Sequence, residues 1–238
     1  MSNPSRIKKI PLDNMVADEK SLCAEQFRKI RSVLNVHYLA NSLRSLLVTS
    51  LAPQEGKTTV SLELAATLAK GLNAPVILID ADLRRKGLSY LLGLVETPGL
   101  TEVLEGKENF KKAIIDTDIE GLKILPAGSH SPNCAELVAS KGMRDFIEKL
   151  RMDFKDFFLI IDSAPFLPAS DAQALSYIVD GIVLVILAEQ TMRDVLKREI
   201  NAINKKKIIG VVLNNAEFEM SHHYHGYYRE YYGREHKK

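Results

Sequence analysis

The sequence predicts an α/β protein with a mostly parallel sheet and helices on both faces of that sheet. Short, almost wholly apolar runs alternate with helix-like segments, as is typical of strands that are buried on both sides. A Gly-Lys-Thr tripeptide follows the first run and opens a helix, and acidic residues follow two later runs. Because such sheets bind ligands at the carboxyl ends of their strands, these signals predict a single site.

The chain begins with a polar segment and a first helix. Residues 1–17 contain two prolines and no apolar periodicity, which predicts an extended leader. Apolar residues then recur at helical spacing from Asp18, which is the expected N-cap, to about Ala40.

Strands and helices alternate after that first helix. Runs rich in Ile, Leu and Val predict strands, and apolar residues at helical spacing predict helices. The predicted strands are 45–50, 75–79, 122–125, 157–161, 182–187 and 208–213, and the predicted helices are 57–72, 133–151, 169–177 and 193–204. The pattern ends near residue 215, so we expect one domain over 18–215 and a flexible tail over 216–238.

Composition excludes several classes of protein. Of 238 residues, 46% are apolar and 26% charged, as in an ordinary globular domain, and the net charge of +2 gives no reason to expect a nucleic-acid partner. Cys23 and Cys134 are too far apart for a CxxC site, which disfavours an iron–sulfur carrier. With no signal peptide and no apolar run of the ~18–20 residues that cross a bilayer, we expect a cytoplasmic protein.

The segment after the first strand predicts a phosphate-binding P-loop. At a helix start, backbone N–H groups and the helix dipole attract phosphate, Lys57 adds a cation, and the hydroxyl of Thr58 can bind Mg²⁺. Leu51 stands where the full P-loop pattern has glycine. The candidate nucleotide-binding residues of this loop are Gln54, Glu55, Gly56, Lys57, Thr58 and Thr59.

Carboxylates at two other strand ends complete an ATP or GTP site. Asp80 and Asp82 lie two residues apart at a strand end and project to the same side, and Asp162 follows a later strand as a Walker B aspartate does. We expect Asp80 to accept a proton from an attacking hydroxyl and Asp82 to have a metal-binding or positioning role, although the reverse assignment is open. Each aspartate alone would be a strand-end cap. The candidate metal ligands are Thr58, Asp80, Asp82 and Asp162, and the candidate catalytic residues are Lys57, Asp80, Asp82 and Asp162.

With these motifs the chain resembles the bacterial tyrosine kinases, P-loop enzymes associated with capsule and exopolysaccharide export. The resemblance runs from about residue 19 to the C-terminus. Residues 77–84 match the family's second acidic motif, Asp-x-Asp-x-Arg after three apolar residues, which partition and division-site ATPases generally lack. Asp162 and Pro165 meet the family's Walker B form. The resemblance implies a protein-tyrosine kinase that uses ATP and Mg²⁺.

A motif on the first helix concerns assembly. The family's Glu-x-x-Arg-x-x-Arg is present as Glu25, Arg28 and Arg31, on one side of the helix. The resemblance implies that these residues contact the next subunit of a ring-shaped homo-oligomer. A solvated helix face with a local ion pair is the alternative interpretation.

The tail resembles the tyrosine cluster that the family phosphorylates in trans. The phosphoacceptors that this resemblance implies are Tyr224, Tyr227, Tyr228, Tyr231 and Tyr232. An aromatic interaction patch, or a metal site at the histidines of the same segment, is the competing interpretation. Asn214 ends the last strand, where related ATPases often use Asn to read adenine; a strand-end cap is equally open.

The resemblance also implies partners. Family members of this length are activated by the cytoplasmic tail of a transmembrane partner of the polysaccharide co-polymerase type, which would hold the chain at the inner face of the membrane, and are opposed by a tyrosine phosphatase. Two rivals share the fold: a positioning ATPase of the partition or division-site class, and an assembly module without phosphotransfer. Gln54, where many members have glycine, and Ala164, where proline is common, are expected to affect rate more than chemistry.

Overall fold

The computed structural model describes residues 9–40, 42–72, 74–167, 169–191, 193–200 and 203–216, which form a seven-stranded sheet with helices on both faces. The strands are β1 (Ser45–Ser50), β2 (Val76–Asp80), β3 (Ile115–Asp116), β4 (Leu122–Leu125), β5 (Phe158–Asp162), β6 (Gly181–Leu187) and β7 (Ile208–Asn214). The helices are α1 (Leu22–Leu39), α2 (Lys57–Gly71), α3 (Gly87–Leu91), α4 (Leu100–Leu104), α5 (Phe110–Ala113), α6 (Cys134–Ala139), α7 (Lys141–Asp153), α8 (Ser170–Ile178) and α9 (Arg193–Ile200). The predicted fold class is confirmed.

The strand order brings the three predicted site loops together. The order is β3-β4-β2-β5-β1-β6-β7, and every neighbouring pair is parallel except β3 and β4. Strands β2, β5 and β1 are adjacent, and the register places Asp162 of β5 opposite both Asp80 of β2 and Val48 of β1. The loops after these three strands therefore line one edge of the sheet, as the sequence predicts.

Side chains from the central strands pack into two cores, one on each face of the sheet. In β1, Leu46 and Val48 join the core that includes α1 and α2, whereas Leu47 joins the core that includes α7 and α8. Every residue of β1, β2 and β5 is buried. Burial on both faces explains the almost continuous apolar runs in the sequence.

The described part of the leader packs against the body of the protein. Ile10 and Leu12 are buried and join the core beneath α1 and α2. The N–H of Ile10 donates to the carbonyl of Asp116 at 2.9 Å, and the N–H of Leu12 donates to Asp118 Oδ1 at 2.8 Å. These bonds anchor residues 10–12 beside the short strand β3.

Two details of the predicted helices are wrong. The N-cap of α1 is Ser21, whose hydroxyl accepts from the N–H of Ala24, because the Asp18 carboxylate is used by the N–H of Lys20. The single helix predicted over 133–151 is two helices separated by Ser140, which has extended backbone angles and whose hydroxyl accepts from the N–H of Met143 to cap α7. Serine favours such caps over helix interiors because its hydroxyl competes for backbone groups.

Four short elements, α3, α4, α5 and β3, have no counterpart in the prediction. Each has five residues or fewer, which is too short for a periodic pattern to emerge. Among the described residues, none of the helices combines the length and the apolar composition that a bilayer span requires.

Candidate functional site

The loop between β1 and α2 has a P-loop shape without the first glycine. Leu51, at the position of that glycine, is fully buried and packs into the core that includes α7 and α8. Gln54 has φ +66° and Gly56 has φ +87°, so both lie in the left-handed region that favours glycine. Gln54 therefore adopts a backbone conformation that usually requires glycine and that costs other residues about 1–2 kcal/mol.

Lys57 and Asp82 form an ion pair at the strand ends. Lys57 is the first residue of α2, and its Nζ lies 3.5 Å from Asp82 Oδ2. The side chains are 11% and 1% exposed, so the pair is largely shielded from water. Asp82 Oδ1 accepts from the N–H of Arg85 at 3.0 Å, whereas its Oδ2 accepts no hydrogen bond from the described residues.

Asp162 is held by two hydroxyls of α2. Thr58 Oγ1 donates to Asp162 Oδ2 at 2.8 Å, and Ser61 Oγ donates to Asp162 Oδ1 at 3.0 Å. Ser61 was not among the predicted site residues. Its position, one helical turn after Lys57 and so on the face that meets the strand ends, was the available signal.

Asp80 is fully buried and oriented by a residue that the sequence did not single out. Asp80 Oδ2 accepts from the N–H of Ser89 at 2.8 Å and from its hydroxyl at 2.7 Å, while Oδ1 accepts from the N–H of Asp82 at 3.3 Å. Ser89 lies on the unpredicted helix α3, so no sequence pattern linked it to the site.

The three aspartates concentrate negative charge at the strand ends. Burial raises the pKa of Asp80 to about 7, and the charge of Asp162 adds to the rise. Burial also raises the pKa of Asp162 to about 6, although Lys57 and hydrogen bonds from Thr58 and Ser61 oppose the rise. A site that raises carboxylate pKa values in this way gains stability when it binds a cation.

The residues fit Mg²⁺ that arrives with a nucleotide. Asp82 Oδ2 is a buried oxygen without a hydrogen bond, and the Thr58 hydroxyl and Asp162 already contact each other. In the described part of the chain, no group of three or more His, Cys, Asp or Glu side chains could hold a metal by itself. Mg²⁺ usually takes one or two carboxylates and completes its shell with phosphates and water.

The other predicted loop residues have distinct surroundings. Gln54 and Thr59 are exposed, whereas the Glu55 side chain is 3% exposed and its Oε2 accepts from the N–H of Ala52 at 2.8 Å. Asn214 Nδ2 donates to the carbonyl of Glu55 at 3.0 Å. Asn214 therefore lies at the site, but its side chain binds the P-loop backbone rather than capping its own strand end.

A buried carboxylate beside the second acidic motif was also missed. Asp171, near the start of α8, is fully buried, and its Oδ2 lies 3.3 Å from Nε of Arg84. Its Oδ1 has no hydrogen-bond partner among the described residues. The pair links the segment that follows β2 to the helix that follows β5.

The predicted interface residues on α1 are engaged within the chain. Arg28 pairs with Glu25 Oε2 at 2.7 Å, which is the local ion pair of the alternative interpretation. Arg31 Nη1 donates to the carbonyl of Thr67 on α2 at 3.2 Å and covers Gly71, where a Cβ atom would lie 2.1 Å from it. Both arginines also line a cavity of about 260 Å³ between the leader, α1 and α2.

These contacts predict different stability effects for the two arginines. Arg31→Ala is expected to lower the free energy of unfolding by about 1 kcal/mol, because the part-buried hydrogen bond to the Thr67 carbonyl is lost. Arg28→Ala removes a partly exposed ion pair and an exposed hydrogen bond from Arg28 Nη1 to the carbonyl of Glu19, and is expected to change the free energy of unfolding by less than about 0.5 kcal/mol because water replaces both contacts. Urea denaturation at low protein concentration measures both, and equal effects would contradict the Arg31 contact.

The tyrosines of the tail lie outside the described residues. This applies to every proposed phosphoacceptor, namely Tyr224, Tyr227, Tyr228, Tyr231 and Tyr232.

Comparison with known proteins identifies relatives of this chain and its fold. A family model described as an AAA domain matches residues 54–215. The chain is 34% identical over 219 residues to the tyrosine-protein kinase YwqD of Bacillus subtilis, covering 90% of this chain and 91% of that protein. It is 31% identical to the succinoglycan biosynthesis transport protein ExoP of Rhizobium meliloti, covering 94% of this chain and 29% of that protein. The solved kinase domain of the Escherichia coli tyrosine kinase ETK matches with a TM-score of 0.75 at 29% identity, over 91% of this chain and 86% of that one.

Proposed function

The chain belongs to the bacterial tyrosine kinases, and from that premise we propose that it phosphorylates the tyrosines of its own tail in trans and thereby regulates capsule or exopolysaccharide synthesis and export. The enzyme class, an ATP-dependent protein-tyrosine kinase, follows from family membership. The observation that carries the proposal is the cluster at adjacent strand ends in which Lys57 pairs with Asp82, Thr58 binds Asp162, and Asp80 lies opposite Asp162 in the sheet.

The P-loop and the aspartates divide the work of binding ATP. The N–H groups at the start of α2 and the ammonium of Lys57 bind the β- and γ-phosphates, with residues 54–59 forming the cradle. Thr58, Asp82 and Asp162 would hold Mg²⁺, with Asp80 close by, and the bound metal would supply positive charge beside the phosphates.

Asp80 is the residue that we assign to proton transfer. The phenol oxygen of a tail tyrosine attacks the γ-phosphorus, the bond from that phosphorus to the β,γ-bridging oxygen breaks, and ADP leaves. The phenol has a pKa of about 10, so its proton needs an acceptor at neutral pH. Ser89 fixes the Asp80 carboxylate with two hydrogen bonds to Oδ2, and among the described residues Oδ1 has only the 3.3 Å contact to the N–H of Asp82.

Phosphorylation between subunits would also control assembly. We infer an oligomeric ring that uses the α1 face at Glu25, Arg28 and Arg31, with the kinase domain over 18–215, the leader over 1–17 and the acceptor tail over 216–238. Each phosphate adds a charge of about −1.5 to −2, so several on one tail would repel neighbouring subunits and loosen the ring.

The proposal includes partners outside the chain. We infer a transmembrane activator of the polysaccharide co-polymerase type, which recruits the chain from the cytoplasm to the inner face of the membrane. The relative ExoP supports this inference, because its name joins polysaccharide biosynthesis with transport and it is much longer than this chain. A tyrosine phosphatase would complete the cycle.

The decisive experiment is intact mass after incubation with ATP and Mg²⁺, alone and with the cytoplasmic tail of a candidate activator. We expect additions of phosphate that disappear in Lys57→Met and in a truncation after Met220. Transfer in trans is tested by mixing the truncated, active chain with full-length Lys57→Met, which should then gain phosphate. ATP turnover without any gain in mass, even with activator, would instead favour a nucleotide-switched assembly or positioning ATPase.

A further inference from the structure

The P-loop contains a buried carboxylate, that of Glu55, which takes no part in binding phosphate. Glu55 is 3% exposed, one residue before the glycine that caps α2. An acidic side chain in a loop that binds anionic phosphates is unfavourable unless its charge is used elsewhere. Its two oxygens are used inside the fold: Oε2 accepts from the N–H of Ala52, and Oε1 accepts from the hydroxyl of Thr191, beyond β6.

The backbone of the same residue is held from the neighbouring strand. Asn214, the last residue of β7, donates from Nδ2 to the carbonyl of Glu55 at 3.0 Å. The amide lies so close to Gly56 that a Cβ atom there would be 2.1 Å from Nδ2. The amide group of Asn214 thus fills the space that the absent side chain of Gly56 leaves.

The ends of β6 and β7 are themselves joined. Leu187 is paired with Asn214 in the sheet, and the N–H of Ala188 donates to the carbonyl of Asn214 at 2.9 Å. The N–H of Thr191 in turn donates to the carbonyl of Leu187 at 3.3 Å. Two strand ends therefore hold one P-loop residue, one through its side chain and the other through its carbonyl.

We propose that Glu55, Thr191 and Asn214 form a tether that fixes the P-loop in its phosphate-binding shape and couples that loop to the root of the tail. All three are positioning residues. Asn214 is two residues before Ala216, where the predicted tail begins, so a change at the P-loop reaches the tail root through a single hydrogen bond. The proposal rests on the nucleotide site proposed above and assigns Asn214 to the loop rather than to adenine.

Binding of two ligands distinguishes the tether from an adenine contact. Asn214→Asp removes the amide donor without changing the shape of the side chain. If Asn214 shapes the loop, we expect about tenfold weaker binding of both a non-hydrolysable ATP analogue and inorganic triphosphate, each with Mg²⁺, as for the loss of one hydrogen bond. Weaker binding of the analogue alone would show an adenine contact and overturn the tether, as would unchanged binding of both.

A matched control is the adjacent residue. Asn215→Asp makes the same change of charge one position away, at a residue with φ +53°, a conformation that Asp tolerates. We expect its triphosphate affinity to be unchanged, and an equal loss in this variant would assign the effect to charge alone. Failure of the wild-type chain to bind either ligand would instead refute the nucleotide site itself.

Two further readouts test the coupling. In the wild-type chain the ATP analogue is expected to slow amide hydrogen exchange at residues 214–216, and in Asn214→Asp this slowing should be lost even at saturating ligand. Thr191→Val removes only the hydroxyl that binds Glu55 and should weaken triphosphate binding several-fold, which keeps the test decisive if Asn214→Asp does not fold. Exchange that is insensitive to ligand in the wild-type chain would overturn the coupling.

Discussion

Replacing Lys57 with methionine is expected to lower phosphotransfer at least about 10³-fold and also to destabilise the fold. The loss of rate follows because a cation beside the transferring phosphoryl group stabilises charge that develops in the transition state. The loss of stability follows from Asp82, which is 1% exposed and has the Lys57 ammonium 3.5 Å from its Oδ2. Removing one partner of a buried pair leaves an uncompensated charge, here at a cost of about 3 kcal/mol.

A double substitution separates these two effects. Asp82→Asn removes the negative charge that Lys57→Met leaves unpaired, so Lys57→Met/Asp82→Asn should recover most of the stability without recovering phosphotransfer. Asp82→Asn alone should cost less stability than Lys57→Met, because Lys57 is still attracted by Asp162 and the repulsion between Asp82 and Asp162 is removed, and it should lose about 10²-fold in rate.

Urea denaturation without nucleotide and mass measurement with ATP provide the two readouts. Lys70→Met is the matched control, because Lys70 is 36% exposed and pairs with an exposed Glu19, so that its loss should cost less than about 0.5 kcal/mol. If Lys57→Met and Lys70→Met unfold at the same urea concentration, the account of Asp82 as a buried charge held by Lys57 is wrong.

The sheet and the order of its parts could be predicted because strands buried on both faces leave a strong signal. The apolar runs of β1, β2 and β5 are fully buried, and the acidic or Gly-Lys-Thr segment after each one marks the carboxyl edge. Burial also explains the departure at the P-loop, because Leu51 is a core residue at the position where the usual pattern has glycine.

The contacts that tune the site could not be predicted, because they depend on short elements or on distant parts of the chain. Ser89 reaches Asp80 from α3, a helix of five residues, and Ser140 divides a helix that apolar spacing alone makes continuous. Glu55 and Asn214 are 159 residues apart in sequence. A motif names Glu55 only as a loop residue, and nothing in the order of residues shows that Asn214 binds its carbonyl.

Among substitutions that add a single methyl group to the described part of the P-loop, Gly56→Ala is expected to be the most damaging. The residue has φ +87°, and an added Cβ atom would lie 2.1 Å from Asn214 Nδ2. The left-handed backbone costs about 1–2 kcal/mol for alanine, and the clash adds a similar amount. Because the displaced amide also releases the Glu55 carbonyl, we expect nucleotide affinity to fall about 100-fold, the combined effect of a distorted loop and a lost tether.

Glycine at a second left-handed position separates the backbone cost from the clash. Gly93 has φ +68° and no atom within 4 Å of its Cβ position, so Gly93→Ala should cost only the backbone part, about 1–2 kcal/mol, and leave nucleotide binding intact. Adding Asn214→Ala to Gly56→Ala removes the clash, and the free energy of unfolding should then return to within about 1 kcal/mol of Gly93→Ala, the difference being the lost hydrogen bond to Glu55. Nucleotide affinity should stay low in that double variant, because space has been restored but the hydrogen bond to Glu55 has not. If affinity recovers together with stability, the role of Asn214 is only to leave space for Gly56. If stability recovers and affinity does not, the hydrogen bond from Asn214 is needed to hold the loop in its binding shape.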